Sequence, residues 1–149
     1  MEAFSEWGYF GLFLASFIAA TVLPLSSEIV FSVLIVNNYD LATCLVIATL
    51  GNWIGGMSSY ALGWLAKWSF IEKYLRIKKE RIQIFKIKIE NWGSFIAFFC
   101  WLPIIGDPLA VGLGVFKANI IKVSIWMLIG KMIRYLAWAA ITYWGFSLI

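Results

Sequence analysis

The chain has 149 residues, 62% of them hydrophobic and only 13% charged, with a mean hydropathy of +0.87. A soluble domain of this length could not cover so much apolar surface, so the composition specifies an integral membrane protein. The absence of histidine excludes Ser-His triads, His-metal sites and the commonest general base. Nine tryptophans and six tyrosines suit two interfacial belts. The first six residues, MEAFSE, carry two acids and no base, unlike a signal peptide. Cys44 and Cys100 both sit in apolar segments and read as buried free thiols. No phosphate-cradling loop, nucleotide fold or nucleic-acid motif is present, and no cofactor or metal is expected.

From Trp7 to Val36 the chain is apolar apart from the interruption LPLSSE, Leu23 to Glu28. The stretch is too long for one comfortable span of about 20 residues and too short for two. Pro24 cannot donate to a helix ladder and disfavours helix at Leu23. A re-entrant helical hairpin turning at Pro24, Ser26 and Ser27 fits, and so does one proline-kinked helix. The turn NNYD, Asn37 to Asp40, favours the hairpin and leaves the kinked helix open. Leu41 to Ala66 is free of charge and reads as a spanning helix. Its GNWIG segment pairs Gly51 with Gly55 in a pattern that permits close helix contact.

Between Lys67 and Lys88 the character changes: eight of the twelve basic residues fall here. Ile71, Leu75, Ile82, Phe85, Ile89 and Trp92 form an imperfect stripe among them, which suggests a basic amphipathic helix on the bilayer surface, touching anionic headgroups. The positive-inside rule places residues 67–91 in the cytoplasm. Trp92 to Phe116 repeats the hairpin problem, with Pro103, Gly106 and Pro108 around its turn. Lys117 and Lys122 mark its return, and Val123 to Ile149 spans once.

LPIIGD, Leu102 to Asp107, lies 79 residues after LPLSSE, and the same offset carries Gly51 to Gly130. The chain therefore reads as a single membrane domain made of two repeats, about 7–66 and 92–149, joined by the basic linker. Each hairpin contributes no crossing and each long helix one. The first hairpin then opens on the outer face, the second on the inner face, and both termini lie outside. All basic residues before the last helix land inside, as the charge rule requires. This is an inverted repeat of the kind found in secondary carriers.

Glu28, Asp107, Lys131 and Arg134 are the ions near the midplane, each costing about 2.5 to 3.5 kcal/mol on insertion scales. Two acids from opposite hairpins and two bases from one helical face can neutralise one another. Two readings stay open: a buried cluster that fixes packing, or a polar site where a carboxylate exchanges protons while Arg134 holds an anionic group.

LPLSSEIVF, GNWIGGMSSYALG, WLPIIGDPLAVGLG and GKMIR, in this order, resemble the DedA family, also called SNARE-associated Golgi or VTT-domain proteins, in its short YqaA-like bacterial branch. The resemblance implies an inner-membrane protein with two re-entrant hairpins. It also implies an association with proton-motive-force-dependent movement of lipids, polyprenyl phosphates and phospholipids among them. Glu28 matches the family pattern. Ala19 stands where a second acid is common, Gly56 where an aspartate is usual, and Cys100 and Gly106 where arginines are usual. Asp107, Lys131 and Arg134 are this chain's own version of the site. The expectation is a non-enzymatic lipid carrier or scramblase, with membrane lipids and a second copy of the chain as partners. A structural or chaperone-like membrane protein is the first alternative, and an enzyme acting on lipid headgroups the second.

Overall fold

A computed structural model describes residues 2–20, 26–66, 84, 87, 92–93, 95–102 and 105–147. Among them the chain is all-helical: α1 (Glu2–Ala19), α2 (Ser26–Val36), α3 (Leu41–Leu65), a 3-10 segment (Ala97–Trp101), α4 (Gly106–Val115) and α5 (Ile120–Ser147). At 25 residues α3 is about 37 Å long, more than the ~30 Å of bilayer hydrocarbon. It is the one described helix that is both long and apolar enough to cross a membrane. The 28-residue α5 is longer still but carries Lys131 and Arg134.

Both predicted interruptions are real breaks between helices, with a shift in detail. Pro24 and Pro103 lie outside the described residues, but Ser26, Ser27, Gly106 and Pro108 are already helical. They form the first turns of α2 and α4 rather than the turns between helices. The reason is that first-turn N–H groups have no partner within a helix, so Pro108 loses no bond there. Glu28 and Asp107 share those first turns, where the helix dipole favours negative charge. The predicted basic helix of 67–91 lies outside the described residues except for Ile84 and Ile87, which are helical and exposed.

The ends of α2 and α4 are built alike. Asn38 N donates to Ile35 O (3.0 Å) and Tyr39 N to Leu34 O (3.1 Å), a Schellman closure around Asn38 at φ 61°. Lys117 N donates to Gly114 O (2.9 Å) and Ala118 N to Leu113 O (3.0 Å), around Lys117 at φ 52°. Each partner is 79 residues beyond its counterpart, the separation of Asn52 and Lys131. Asparagine tolerates this left-handed conformation; lysine does so at a cost on the order of 1 kcal/mol. The helices that follow are capped at the matching positions. Asp40 accepts from Thr43 N (2.7 Å) and Thr43 Oγ1 (2.6 Å), and Asn119 from Ile121 N (3.1 Å) and Lys122 N (3.2 Å).

Glycines set the helix crossings. A Cβ on Gly51 or Gly55 would run into the backbone carbonyl of Phe13 or Phe17, so α1 lies directly on α3. Gly63 and Gly114 likewise press α3 against α4, at the carbonyls of Val111 and Tyr60, and Gly130 seats the 3-10 segment on α5. Two cores result. One gathers Phe31, Leu34, Cys44, Ala48 and Ala139; the other gathers Ala110, Leu113, Val123, Met127 and Tyr60. These five members of each core correspond at the same offset, and a large Phe31 with a small Ala139 in one is matched by a small Ala110 with a large Tyr60 in the other. Cys44 and Cys100 are both buried and unbonded to each other, as expected.

The crossing of α3 and α4 predicts a contrast. Gly114→Val should destabilise the protein by about 2 kcal/mol through overpacking. Gly112→Ala, where an added Cβ meets nothing within 4 Å, should leave it unchanged or raise stability by about 0.5 kcal/mol. Thermal unfolding in detergent micelles reads both. The Asp40 cap gives a pH test. Its carboxyl is held below the usual range by the Thr43 hydroxyl and amide, so its contribution is complete above that usual range and lost as pH falls through the lowered value. The acid limb of the unfolding profile should flatten in Asp40→Asn.

Candidate functional site

Four helices converge on a buried polar cluster. Glu28, 6% exposed, projects from the first turn of α2. From α5, Arg134 meets it with two donors on one oxygen: Nε to Oε1 at 2.8 Å, and Nη2 to the same Oε1. Arg134 Nη1 also donates to the carbonyl of Trp101, at 3.2 Å, where the 3-10 segment ends. One guanidinium thus ties α5 to both interrupted regions. A planar fork suits this, because its donors diverge at fixed angles.

The second oxygen of Glu28, Oε2, is buried with no hydrogen-bond partner. The hydroxyls of Ser16, Ser27 and Tyr135 are buried nearby. Ser16 and Ser27 both lie beside the Tyr135 hydroxyl, and the charges of Glu28 and Arg134 act on it. All four residues are at least nine-tenths buried. The arrangement is a polar pocket around a carboxylate that has kept one acceptor in hand. Near it, Trp138 Nε1 donates to Ser32 Oγ (3.0 Å), a second polar clasp of α2 on α5.

Lys131, 2% exposed, is one turn away on α5. Among the described residues it makes no ion pair with an acid, although the charge of Asp107 acts on it. Its Nζ donates to Asn52 Oδ1, and Asn52 Nδ2 donates in turn to the carbonyl of Ser16 at 3.0 Å. The chain of bonds runs from α5 through α3 to α1. Space decides this partner: a Cβ on Gly56 would lie 3.0 Å from Lys131 Cε and 3.2 Å from Nζ. Gly56, where the family pattern has an aspartate, is therefore the gap that the lysine stem fills. Asp107 is half-buried and feels the charges of Lys131 and Arg134, with no ion pair among the described residues.

Of the predicted site residues, Glu28 and Arg134 are joined directly and Lys131 sits beside them. Asp107 stands further off. Gly51, Gly55 and Gly130 lie where a Cβ would meet a neighbouring backbone carbonyl. Asn52, Ser16, Tyr135 and Trp101 were not singled out. The repeat offset could have found Asn52, since it lands on Lys131; Tyr135 is one of six tyrosines and had no distinguishing signal. Among the described residues no cluster of three or more His, Cys, Asp or Glu could hold a metal.

No family model matches the chain, and no solved structure does. Relatives do. The inner membrane protein YqaA of Escherichia coli is 31% identical over 137 residues, covering 91% of this chain and 92% of its own length. Since YqaA is a DedA-family protein, the relationship is decided. This chain belongs to the DedA family. An uncharacterized protein of Haemophilus influenzae is 30% identical over 136 residues, 85% of this chain and 82% of its own. The uncharacterized membrane protein YkoX of Bacillus subtilis is 31% identical over 140 residues, 89% of this chain and 62% of its own. In this member of the family, Glu28 in the first turn of α2 is answered from α5 by Arg134.

Breaking the central pair has a signed consequence. Arg134→Met leaves Glu28 as a lone buried carboxylate and should cost about 3 kcal/mol; Glu28→Met with Arg134→Met should recover most of that. Thermal unfolding of the three variants in micelles closes the cycle.

Proposed function

We propose that the chain is a carrier or scramblase that moves a lipid, or a lipid-linked phosphate, across the bacterial cytoplasmic membrane, with proton exchange at Glu28. The observation that carries the reading is Arg134, whose fork lies in the protein interior and meets one oxygen of Glu28 and the backbone carbonyl of Trp101. A phosphate is a better match to that fork than half a carboxylate. When an anionic headgroup takes Arg134, Glu28 loses its counter-charge, and a buried carboxylate in that position is neutralised by a proton. Uptake of the headgroup and uptake of a proton are then one event.

The inner-membrane YqaA relatives support the location. The architecture belongs to the same proposal. α2 with α3, and α4 with α5, are two copies of one unit, each preceded by the inner arm of a re-entrant hairpin. Asn52 and Lys131, equivalent positions, touch each other, which is what a two-fold axis between the copies requires. An inverted pair of this kind supports alternating exposure of a site near the midplane. Residues 67–91 are then cytoplasmic, and both termini face outward.

Proteoliposomes carrying fluorescent phospholipid or polyprenyl phosphate test the reading. Wild-type protein should move at least one of them faster than protein-free vesicles, and a pH gradient should change the rate. Glu28→Gln and Arg134→Ala, checked for folding by circular dichroism, should each slow movement at least tenfold. Movement by wild type equal to protein-free vesicles for both lipids would overturn it. So would full activity when Glu28 and Arg134 are both methionine, which would make the pair a packing device.

A further inference from the structure

A second feature lies well away from the central pair. A groove of about 610 Å³ runs between the C-terminal end of α3 and the turn that joins α4 to α5, within the size range of small-molecule sites. Ala61, Trp64 and Leu65 form one wall, Ile120 and Ile121 the other, and Lys117 stands at its edge. The walls are held in place without a ligand. Tyr60 donates to the carbonyl of Ala118 at 2.6 Å, and Gly63 and Gly114 lock α3 to α4 beneath.

Lys117 is the unusual residue. It occupies the left-handed closing position of α4, at φ 52°, where glycine or asparagine would sit without strain. Asn38 occupies the equivalent position of α2. The conformation carries the ammonium over the Trp64 ring, 5.4 Å from its centre. No ion pair of Lys117 is found among the described residues, and strain held at a residue lining a groove points to a ligand. Among the described lining residues there is no acid, so a headgroup ammonium finds no partner while a phosphate does. The groove also opens at the end of α3 that leads into the basic run beginning at Lys67. That end faces the cytoplasmic leaflet.

We propose that this groove is a binding site for one anionic phospholipid of the cytoplasmic leaflet, with the phosphate on Lys117 and an acyl chain between Trp64 and Ile121. The inference uses the topology proposed above and does not depend on transport. The opposite end of the molecule has the reverse chemistry at the matching positions. There Asp40 replaces Asn119, and Tyr39, edge-to-face with Tyr9 at a ring-centre distance of 5.2 Å, replaces Ala118. The site is therefore one-sided.

Native mass spectrometry of the full chain, released from micelles containing phosphatidylglycerol or phosphatidylcholine, tests it. Wild type should keep one phosphatidylglycerol at least fivefold better than phosphatidylcholine. Lys117→Gln should lose that preference, and Ala61→Trp, which fills the groove, should weaken both lipids about fivefold or more. Lys122→Gln, outside the groove, should bind as wild type. Lys117→Gly separates binding from folding: relief of the strained backbone should raise the unfolding temperature by about 3 °C while the lipid preference disappears. Equal retention of the two lipids by wild type would overturn the proposal, as would unchanged phosphatidylglycerol binding in Lys117→Gln. A dimer that Ala61→Trp dissociates would do the same, by making the groove a contact between copies.

Discussion

A guanidinium held in the protein interior has to be answered from several directions at once, and Arg134 shows how. Its three donating nitrogens reach a carboxylate on α2 and a carbonyl at the end of the 3-10 segment. Neither of those segments is long enough to define its own depth, because α2 has 11 residues and the 3-10 segment five. Both take their positions from α5. The glycine crossings make this affordable sterically: Gly51 and Gly55 bring α1 down onto α3, and Gly130 brings the 3-10 segment onto α5. An alanine at Gly130 would push the 3-10 segment, and with it the Trp101 carbonyl, away from α5 and Arg134.

The halves of the molecule share a frame but not a chemistry. Helix ends, caps and core positions correspond at an offset of 79, down to individual backbone hydrogen bonds. Charge breaks the correspondence. Arg134 has Gly55 as its counterpart and Lys131 has Asn52, so both buried cations ride on α5 while α3 offers only space and an amide. Electrostatic energy in the core is thus concentrated on one helix. Any motion of α5 against α3 would have to carry the cations with it, past acids that belong to the other two helices.

How much of this could be read from residue order follows from what kind of signal each feature leaves. Prolines beside an acid in an apolar run are visible, so LPLSSE and LPIIGD marked the two interruptions, and GNWIG marked the close approach on α3. The family relationship was also visible in those blocks. The choice of partner was less so. Lys131 and Asp107 have opposite charge, yet geometry gives Lys131 an amide, because Gly56 opens a path toward Asn52 that ends there. Ser26 and Gly106 looked like turn residues by type, and they serve as helix starts because an N-terminal first turn accepts the same residues. A left-handed lysine at position 117 leaves no trace in composition or periodicity at all.

The two cysteines are buried in different cores. Cys44 is fully buried in the core around Phe31, and Cys100, 4% exposed, in the core around Leu113. Each thiol is shielded only as long as its own core stays closed. The chain thus carries a pair of internal reporters, one per half, and the order in which a maleimide reaches them on heating would show whether the halves open together or in sequence.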